Sequence, residues 1–359
     1  MTSVSCIGRA VVSDGQGSFE VVDAEISPPG PNEVVVEMRA AGLCRTDLDL
    51  LSVGDPHVVG HEGAGVIYAV GPGAGDIEPG DRVVLNWAIP CGRCRQCRMG
   101  AQSICQNRPS VSPGAVRYRG TPIRPSFGLG TMSTYAVVRR EAVVTIDEDI
   151  PFPVAAVSGC AVMTGYGSAV NAARVSPGSS VVVLGAGGVG LNVVQGARIC
   201  GASNIIAVDL NDSHLRLAQM LGATDSIRMT EGLGPVLEEV RRLTEGELAD
   251  YAFDCTGVPD LAIAPLALIR NGGTAVQVSG VEQEVCVDMQ LFQWNKTYIN
   301  PLYGNCRPEN DFPILFGHYR RGALFIEELI TQTYPLAEVG QAFEDFRSGL
   351  NAKGVLVFE

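Results

Sequence analysis

Val181-Val182-Val183-Leu184-Gly185-Ala186-Gly187-Gly188-Val189-Gly190 runs from an apolar β-branched stretch straight into a cluster of glycines, and the later run Ile205-Ile206-Ala207-Val208 ends in Asp209. A lone G-x-G-x-x-G is a weak signal. One that follows a strand, opens a helix and is trailed by an acid at the end of the next strand meets the context of a dinucleotide-binding turn. Gly185, Gly187, Gly188 and Gly190, with Val189 between them, allow a tight turn and let a pyrophosphate approach the amides and dipole of a helix N-terminus. Asp209 is expected to accept hydrogen bonds from adenosine ribose hydroxyls and to repel a 2′-phosphate, which favours NAD over NADP.

Outward from this turn the pattern alternates strand and helix. Leu191 to Cys200, Leu215 to Leu221, Gly234 to Leu243 and Leu261 to Arg270 read as helices, and Asn204 to Val208, Ala249 to Asp254 and Thr274 to Val278 as strands. The expected fold class is therefore α/β, with a doubly wound parallel sheet. Before about residue 150 short β-branched runs such as Glu33 to Glu37 and Asp81 to Leu85 are broken by Gly and Pro, as in an antiparallel barrel. Residues 90–130 carry cysteines and then a Pro/Arg/Gly segment of little periodicity, read as surface lobe and loop. Asp311 to Arg321 reads as a helix, and Val355 to Phe358 as an apolar run returning to the first domain.

The 359 residues favour two domains, and 46% hydrophobic with 18% charged residues describes a globular chain. A net charge of −13 argues against nucleic acid and anionic membranes as partners. The N-terminus has no apolar core of secretory length, so the eleven cysteines are expected in the reducing cytoplasm. Ile150 to Ala173 and Val175 to Ala197 lack charged Asp, Glu, Lys or Arg, but their prolines and glycines read as buried strands, turns and helix starts.

Cys91-x-x-Cys94-x-x-Cys97 with Cys105 offers four thiolates within fifteen residues, enough to close a tetrahedral shell around a structural zinc, with an iron–sulfur cluster as the nearest rival. Cys44, His61 and Cys160 are dispersed and individually weak. Together they make an open zinc site with a free fourth position, of the kind that serves alcohol dehydrogenation. The remaining Cys6, Cys200, Cys255, Cys286 and Cys306 read as small buried hydrophobes.

With these three sets in this order, the chain resembles the zinc-dependent medium-chain alcohol dehydrogenases over nearly its whole length. Gly159-Cys160, Thr164 to Val170 and Tyr118 to Ile123 resemble the branch that includes the classical and the thiol-adduct formaldehyde-oxidising enzymes. The resemblance implies a GroES-like catalytic domain over 1–160 with a zinc lobe at about 90–106, a Rossmann domain over 161–302, and a return over 303–359. It also implies two zinc ions per subunit, NAD, a small alcohol or carbonyl substrate, and homodimers or homotetramers.

Carried over by residue, the resemblance makes Cys44, His61 and Cys160 catalytic zinc ligands, with Glu62 able to approach the metal. It makes Thr46 the hydroxyl that handles the substrate proton, and Asp47 the group that orients His61. Arg45 and Lys353 match pyrophosphate-contacting positions, Thr164 and Val189 nicotinamide-packing ones, and Thr256 one near adenine. Trp87, Phe127, Leu302 and Tyr303 match the substrate pocket. The chain departs from the family where many members end the proton relay in histidine: here stands Asp49, with His57 nearby in sequence. Two other readings stay open: a reductase of iminium or conjugated C=C bonds on the same scaffold, and a non-catalytic zinc-stabilised dinucleotide-binding protein.

Overall fold

The computed structural model describes residues 6–359. The expectation of no apolar leader rests partly on residues 1–5, which lie outside the described residues. By its internal packing the chain divides into two units: one holds the residues up to Cys160, Arg307–Arg320 and Ile326–Glu359, the other Ala161–Cys306 and Arg321–Phe325.

In the second unit six strands form one parallel sheet, in the order Asp225–Arg228, Asn204–Asp209, Ser180–Leu184, Ala249–Asp254, Ile269–Gln277, Thr297–Ile299. Counted along the chain this is 3-2-1-4-5-6, so the winding reverses beside the strand that feeds the glycine turn, where open α/β sheets bind ligands. Val181 to Leu184 are almost wholly buried, as a central parallel strand covered on both faces requires. The expected helix Leu261 to Arg270 is shorter than its pattern. A 3₁₀ turn at Pro259–Leu261 leads to Ala264–Leu268, and Ile269 is already in the sheet opposite Ala249.

In the first unit Cys6–Ser13, Phe19–Ile26, Val116–Tyr118, Thr121–Pro125 and His57–Val58 close a barrel. The stretch before residue 130, expected as loop, thus supplies two barrel strands. They are too short, at three and five residues, to show a period. A second sheet runs Val143–Thr145, Arg82–Leu85, Glu62–Val70, Glu33–Gly42, Lys353–Val357, Ile330–Pro335, with Tyr135–Arg139 also on Glu33–Gly42. The C-terminal apolar run is the inner strand Lys353–Val357, antiparallel to Glu33–Gly42.

Two expectations need correction. The second boundary falls after Cys306, not Leu302, because Gly304 is packed backbone to backbone on Gly167, where a Cβ would meet the Gly304 carbonyl at 2.6 Å. Within the expected return, Arg321–Phe325 rejoin the second unit: the Gln195 side chain donates to the Phe325 carbonyl and accepts from its amide, and Arg198 donates to the Ala323 carbonyl. The window Ile150 to Ala173, expected as strands, turns and helix starts, is also one helix, Phe152–Ala173. Pro153 sits in its first turn, where proline is tolerated, and 83% of its most apolar stretch is buried in the protein.

Candidate active site

Backbone pairing brings the dispersed residues together. Gly42 lies opposite Glu62 across two strands, and the Glu62 carboxylate covers Gly42 so closely that a Cβ there would meet Oε2 at 2.0 Å. His61 directly precedes this strand and follows Gly60, whose φ of +104° is a left-handed turn only glycine takes easily. Cys44 caps the short helix Arg45–Leu50, and Cys160 sits in a π turn, Ser158–Val162, of the long helix. Such π turns are frequent at functional sites. One donor atom from each of Cys44, His61, Glu62 and Cys160 lies within 4.8 Å of the others.

Asp47 fixes the imidazole. It is fully buried, its Oδ1 lies 2.8 Å from His61 Nδ1, and its Oδ2 accepts from the Cys44 amide at 3.0 Å. With Nδ1–H donated to Asp47, Nε2 keeps its lone pair for a metal. Burial disfavours the charged His61, yet Asp47 and Cys44 outweigh it and raise the imidazole well above its ordinary value. Contact with Cys160 pulls Cys44 well below the thiol range, and the same contact, with burial, pushes Cys160 up. Burial raises Glu62 to about 7 against the opposing charge of Lys353. Two sulfurs and one imidazole, with a carboxylate beside them, form a donor set that suits zinc, and their crowding calls for a dication.

Cys91, Cys94, Cys97 and Cys105 form the second group, also with donor atoms within 4.8 Å. The amides of Cys91, Cys94 and Cys97 point at Cys105, Cys91 and Cys94 sulfurs at 3.2, 3.3 and 3.4 Å. Amides from Cys97 and Gln106 pull Cys94 down to about 6, which favours the thiolate that zinc binds. A shell of four thiolates leaves no exchangeable position, so it is structural in kind.

In the second unit each glycine of the turn has a distinct environment. Gly185 has φ +85°, and a Cβ on Gly190 would lie 1.8 Å from the Gly185 carbonyl oxygen. A Cβ on Gly187 would meet nothing within 4 Å. Turn, close packing and open cradle are what a pyrophosphate at the N-terminus of helix Gly188–Ile199 requires. Asp209 is tied to this loop, its Oδ2 accepting from the Ala186 amide at 2.7 Å. Burial pushes its carboxyl up, but His214 and the Asn211 and Ala186 amides more than offset this and hold it below the usual range. The Thr164 hydroxyl is buried without a partner among the described residues, and Gly165 beside it packs on the Val189 carbonyl. The open cradle and the orphaned hydroxyl both fit NAD.

Residues 30–148 match the alcohol dehydrogenase GroES-like domain and residues 188–317 the zinc-binding dehydrogenase domain. Alcohol dehydrogenase B of Mycobacterium tuberculosis is 34% identical over 366 residues, covering 97% of both chains. The chain belongs to the zinc-dependent medium-chain alcohol dehydrogenase family. S-(hydroxymethyl)glutathione dehydrogenase of Saccharomyces cerevisiae, another member, is 32% identical over 96% of this chain and 94% of its own. The solved benzyl alcohol dehydrogenase of Acinetobacter calcoaceticus superposes with a TM-score of 0.90 at 30% identity, over 99% of this chain and 100% of its own.

Against the positions expected of an alcohol dehydrogenase of this family, the structure places several side chains differently. Lys353, expected on a pyrophosphate, is 2% exposed, and its ammonium donates to the Leu43 carbonyl at 2.6 Å and to Glu62 at 2.7 Å. It is a buried partner of the Glu62 carboxylate. Arg45 is exposed, and its Nε donates to Asp49 at 3.1 Å, so Asp49 faces solvent and Arg45. His57 lies on a barrel strand with Nδ1 3.0 Å from the Asp55 carbonyl. The Thr256 hydroxyl donates to Asp254 at 2.6 Å, and its methyl faces Gly185. Thr46 Oγ1 stands 3.7 Å from Cys44 Sγ.

Of the expected pocket residues, Phe127 and Trp87 form an aromatic wall. The Phe127 ring is 4.8 Å from the His61 ring and 5.4 Å from Trp87, and Phe127 has φ +52°, a conformation that costs energy for an aromatic residue. Arg108, missed in the sequence because a lone arginine carries no pattern, lies 5.8 Å from the Trp87 ring. Leu302 is partly exposed, whereas Tyr303 is 1% exposed.

Proposed function

We propose that this alcohol dehydrogenase interconverts an alcohol with its aldehyde or ketone using NAD(H), with Cys44, His61 and Cys160 holding a catalytic zinc and the four clustered cysteines a structural one. The observation that carries the reading is the convergence of Cys44, His61, Glu62 and Cys160 donor atoms within 4.8 Å beside the Thr46 hydroxyl. When bound, zinc supplies Lewis acidity that eases ionisation of a substrate hydroxyl, and NAD accepts the hydride.

The chain's own residues do the rest. Thr46 Oγ1 takes the substrate hydroxyl proton into a hydrogen bond and passes it outward, toward solvent, where Asp49 stands. Asp47 holds His61 in the tautomer that leaves Nε2 available. Lys353 offsets the charge of Glu62, so the site carries less surplus negative charge. Gly187 leaves room for the pyrophosphate, Thr164 and Val189 flank the nicotinamide, Asp209 takes the ribose hydroxyls, and Thr256 lies near adenine.

The aromatic face of Phe127 and Trp87 next to His61 favours a flat, ring-bearing alcohol, as in the named activity of the benzyl alcohol dehydrogenase neighbour. The family resemblance supports a homodimer or homotetramer, and eleven unpaired cysteines support a cytoplasmic setting. The test is metal content and NAD-linked turnover on the purified protein and on Cys160→Ser. The reading expects two zincs per chain, with one zinc and nearly all turnover lost in the variant; full turnover with one zinc gone would sink it.

A further inference from the structure

The chain carries 26 lysines and arginines, and only two of them are lysines, Lys296 and Lys353. An enzyme that releases aldehydes works beside a reagent for amines. Guanidiniums stay protonated there, whereas an ammonium can give up a proton and condense. Lys353 is out of reach, buried and paired with Glu62. Lys296 is placed otherwise, on a cleft of about 310 Å³ that Glu247, Leu248, Ile269, Arg270 and Asn271 also line. The cleft lies where the parallel strands Ala249–Asp254, Ile269–Gln277 and Thr297–Ile299 begin, at the opposite end of the sheet from the glycine turn.

The Lys296 ammonium donates to the Leu266 carbonyl at 2.7 Å, and no carboxylate pairs with it among the described residues. Arg270, on the same cleft, is committed to Asp250, which it meets through Nε at 2.7 Å and Nη2 at 2.6 Å. Partial burial pushes Lys296 below the usual lysine range. Desolvation is a condition that turns a lysine into an imine-forming nucleophile, and the cleft supplies it. Leu248 and Ile269 offer an apolar group somewhere to lie. Leu248 itself is held at φ +69°, a left-handed conformation that costs energy for a leucine and gathers at ligand sites.

We infer that Lys296 is a capture site for the class of aldehyde that the enzyme itself releases, held as a reversible imine in this cleft. The inference rests on the aldehyde-forming reading above. Condensation joins the lysine nitrogen to the carbonyl carbon and breaks the C=O bond. Two of the ammonium's three protons leave with the oxygen as water, and the third stays on the iminium nitrogen. Nothing is oxidised or reduced, and water reverses the step. The iminium N–H can keep the hydrogen bond to the Leu266 carbonyl while the aldehyde's substituent lies against Leu248 and Ile269.

The test is incubation of the zinc-loaded protein at neutral pH with benzaldehyde and cyanoborohydride, which reduces the iminium to a stable benzyl amine, read by intact mass and peptide mapping. Lys296 should be labelled about tenfold or more faster in the folded chain than in the same chain unfolded in guanidinium chloride, because the cleft holds the ring beside the amine. Lys296→Arg should lose the folded-state side-chain label with turnover unchanged. Equal rates in folded and unfolded chains, or folded-state side-chain label that survives Lys296→Arg, overturn the inference. A second arm replaces benzaldehyde with benzyl alcohol and NAD. Label from the aldehyde but none from the alcohol keeps Lys296 as an aldehyde site and counts against the aldehyde-forming reading. Formation of NADH from the alcohol with no Lys296 label in either arm overturns the inference alone.

Discussion

Lys353 Nζ lies 2.7 Å from the Glu62 carboxylate, with side-chain exposures of 3% and 0%, so an ion pair is shut inside the first unit in the cluster that holds Cys44, His61 and Cys160. Each partner is what makes the other tolerable there. Burial alone would discharge Lys353; Glu62, then Cys44, outweigh it and raise its ammonium.

Lys353→Met leaves Glu62 without its counter-charge and should cost about 3–5 kcal/mol of stability. Denaturant unfolding of the zinc-loaded protein measures it. The double variant Glu62→Gln, Lys353→Met should recover much of the loss; a single variant as stable as wild type would show that the pair holds nothing together.

Asp47→Asn keeps an acceptor for His61 Nδ1–H but removes the charge that raises the imidazole. Zinc affinity at the Cys44 site should weaken about 10–100-fold, the range found when such supporting carboxylates are lost. Competition with a chromogenic chelator reads this directly, and the four-cysteine zinc serves as an internal control.

Two glycines three residues apart should respond in opposite ways. Gly190→Ala drives a Cβ into the Gly185 carbonyl and should destabilise by about 1–3 kcal/mol or more. Gly187→Ala meets no atom, so stability should change by less than about 0.5 kcal/mol. Its NADH affinity should nevertheless drop about tenfold or more, because the methyl fills the pyrophosphate cradle. Thermal melts with NADH titrations separate the two; unchanged affinity in Gly187→Ala would place the pyrophosphate elsewhere.

Asp209 gives a pH dependence with a definite sign. Its folded carboxyl is held below the ordinary 3.8, so above that value folded and unfolded chains are equally ionised and its contribution is complete. Below it the unfolded chain binds more protons, and the contribution is lost as pH falls through the folded value. Asp209→Asn should therefore show a shallower fall in urea midpoint below about pH 4 than wild type. Parallel acid limbs would remove Asp209 from the account.

Much of this was readable in the chain because the signals are local. The glycine turn, Asp209 and the four clustered cysteines each fall within a short span whose spacing carries the geometry. What escaped is made by distance or by neighbours. Lys353 meets Glu62 across 291 residues, and nothing in Asn351-Ala352-Lys353-Gly354 reveals a buried ammonium. His214 looks like any polar residue of a helix's first turn. The helix Phe152–Ala173 was misread because Gly159, Gly165 and Gly167 resemble breaks. They are sites of close approach, where a Cβ on Gly165 would meet the Val189 carbonyl at 2.2 Å and one on Gly159 the Leu85 carbonyl at 2.9 Å.

The placement of Lys353 also orders events during synthesis. Cys44, His61 and Glu62 leave the ribosome early, and the ammonium that offsets Glu62 follows 291 residues after it. At about 5–20 residues per second that interval is about 15–60 s. Once Cys160 has emerged, the nascent site has its thiols and carboxylate for the rest of that interval without their internal cation and without the strand Lys353–Val357 that lies along Glu33–Gly42. A metal captured in that interval would meet a more negative and more open set of donors than the finished protein offers.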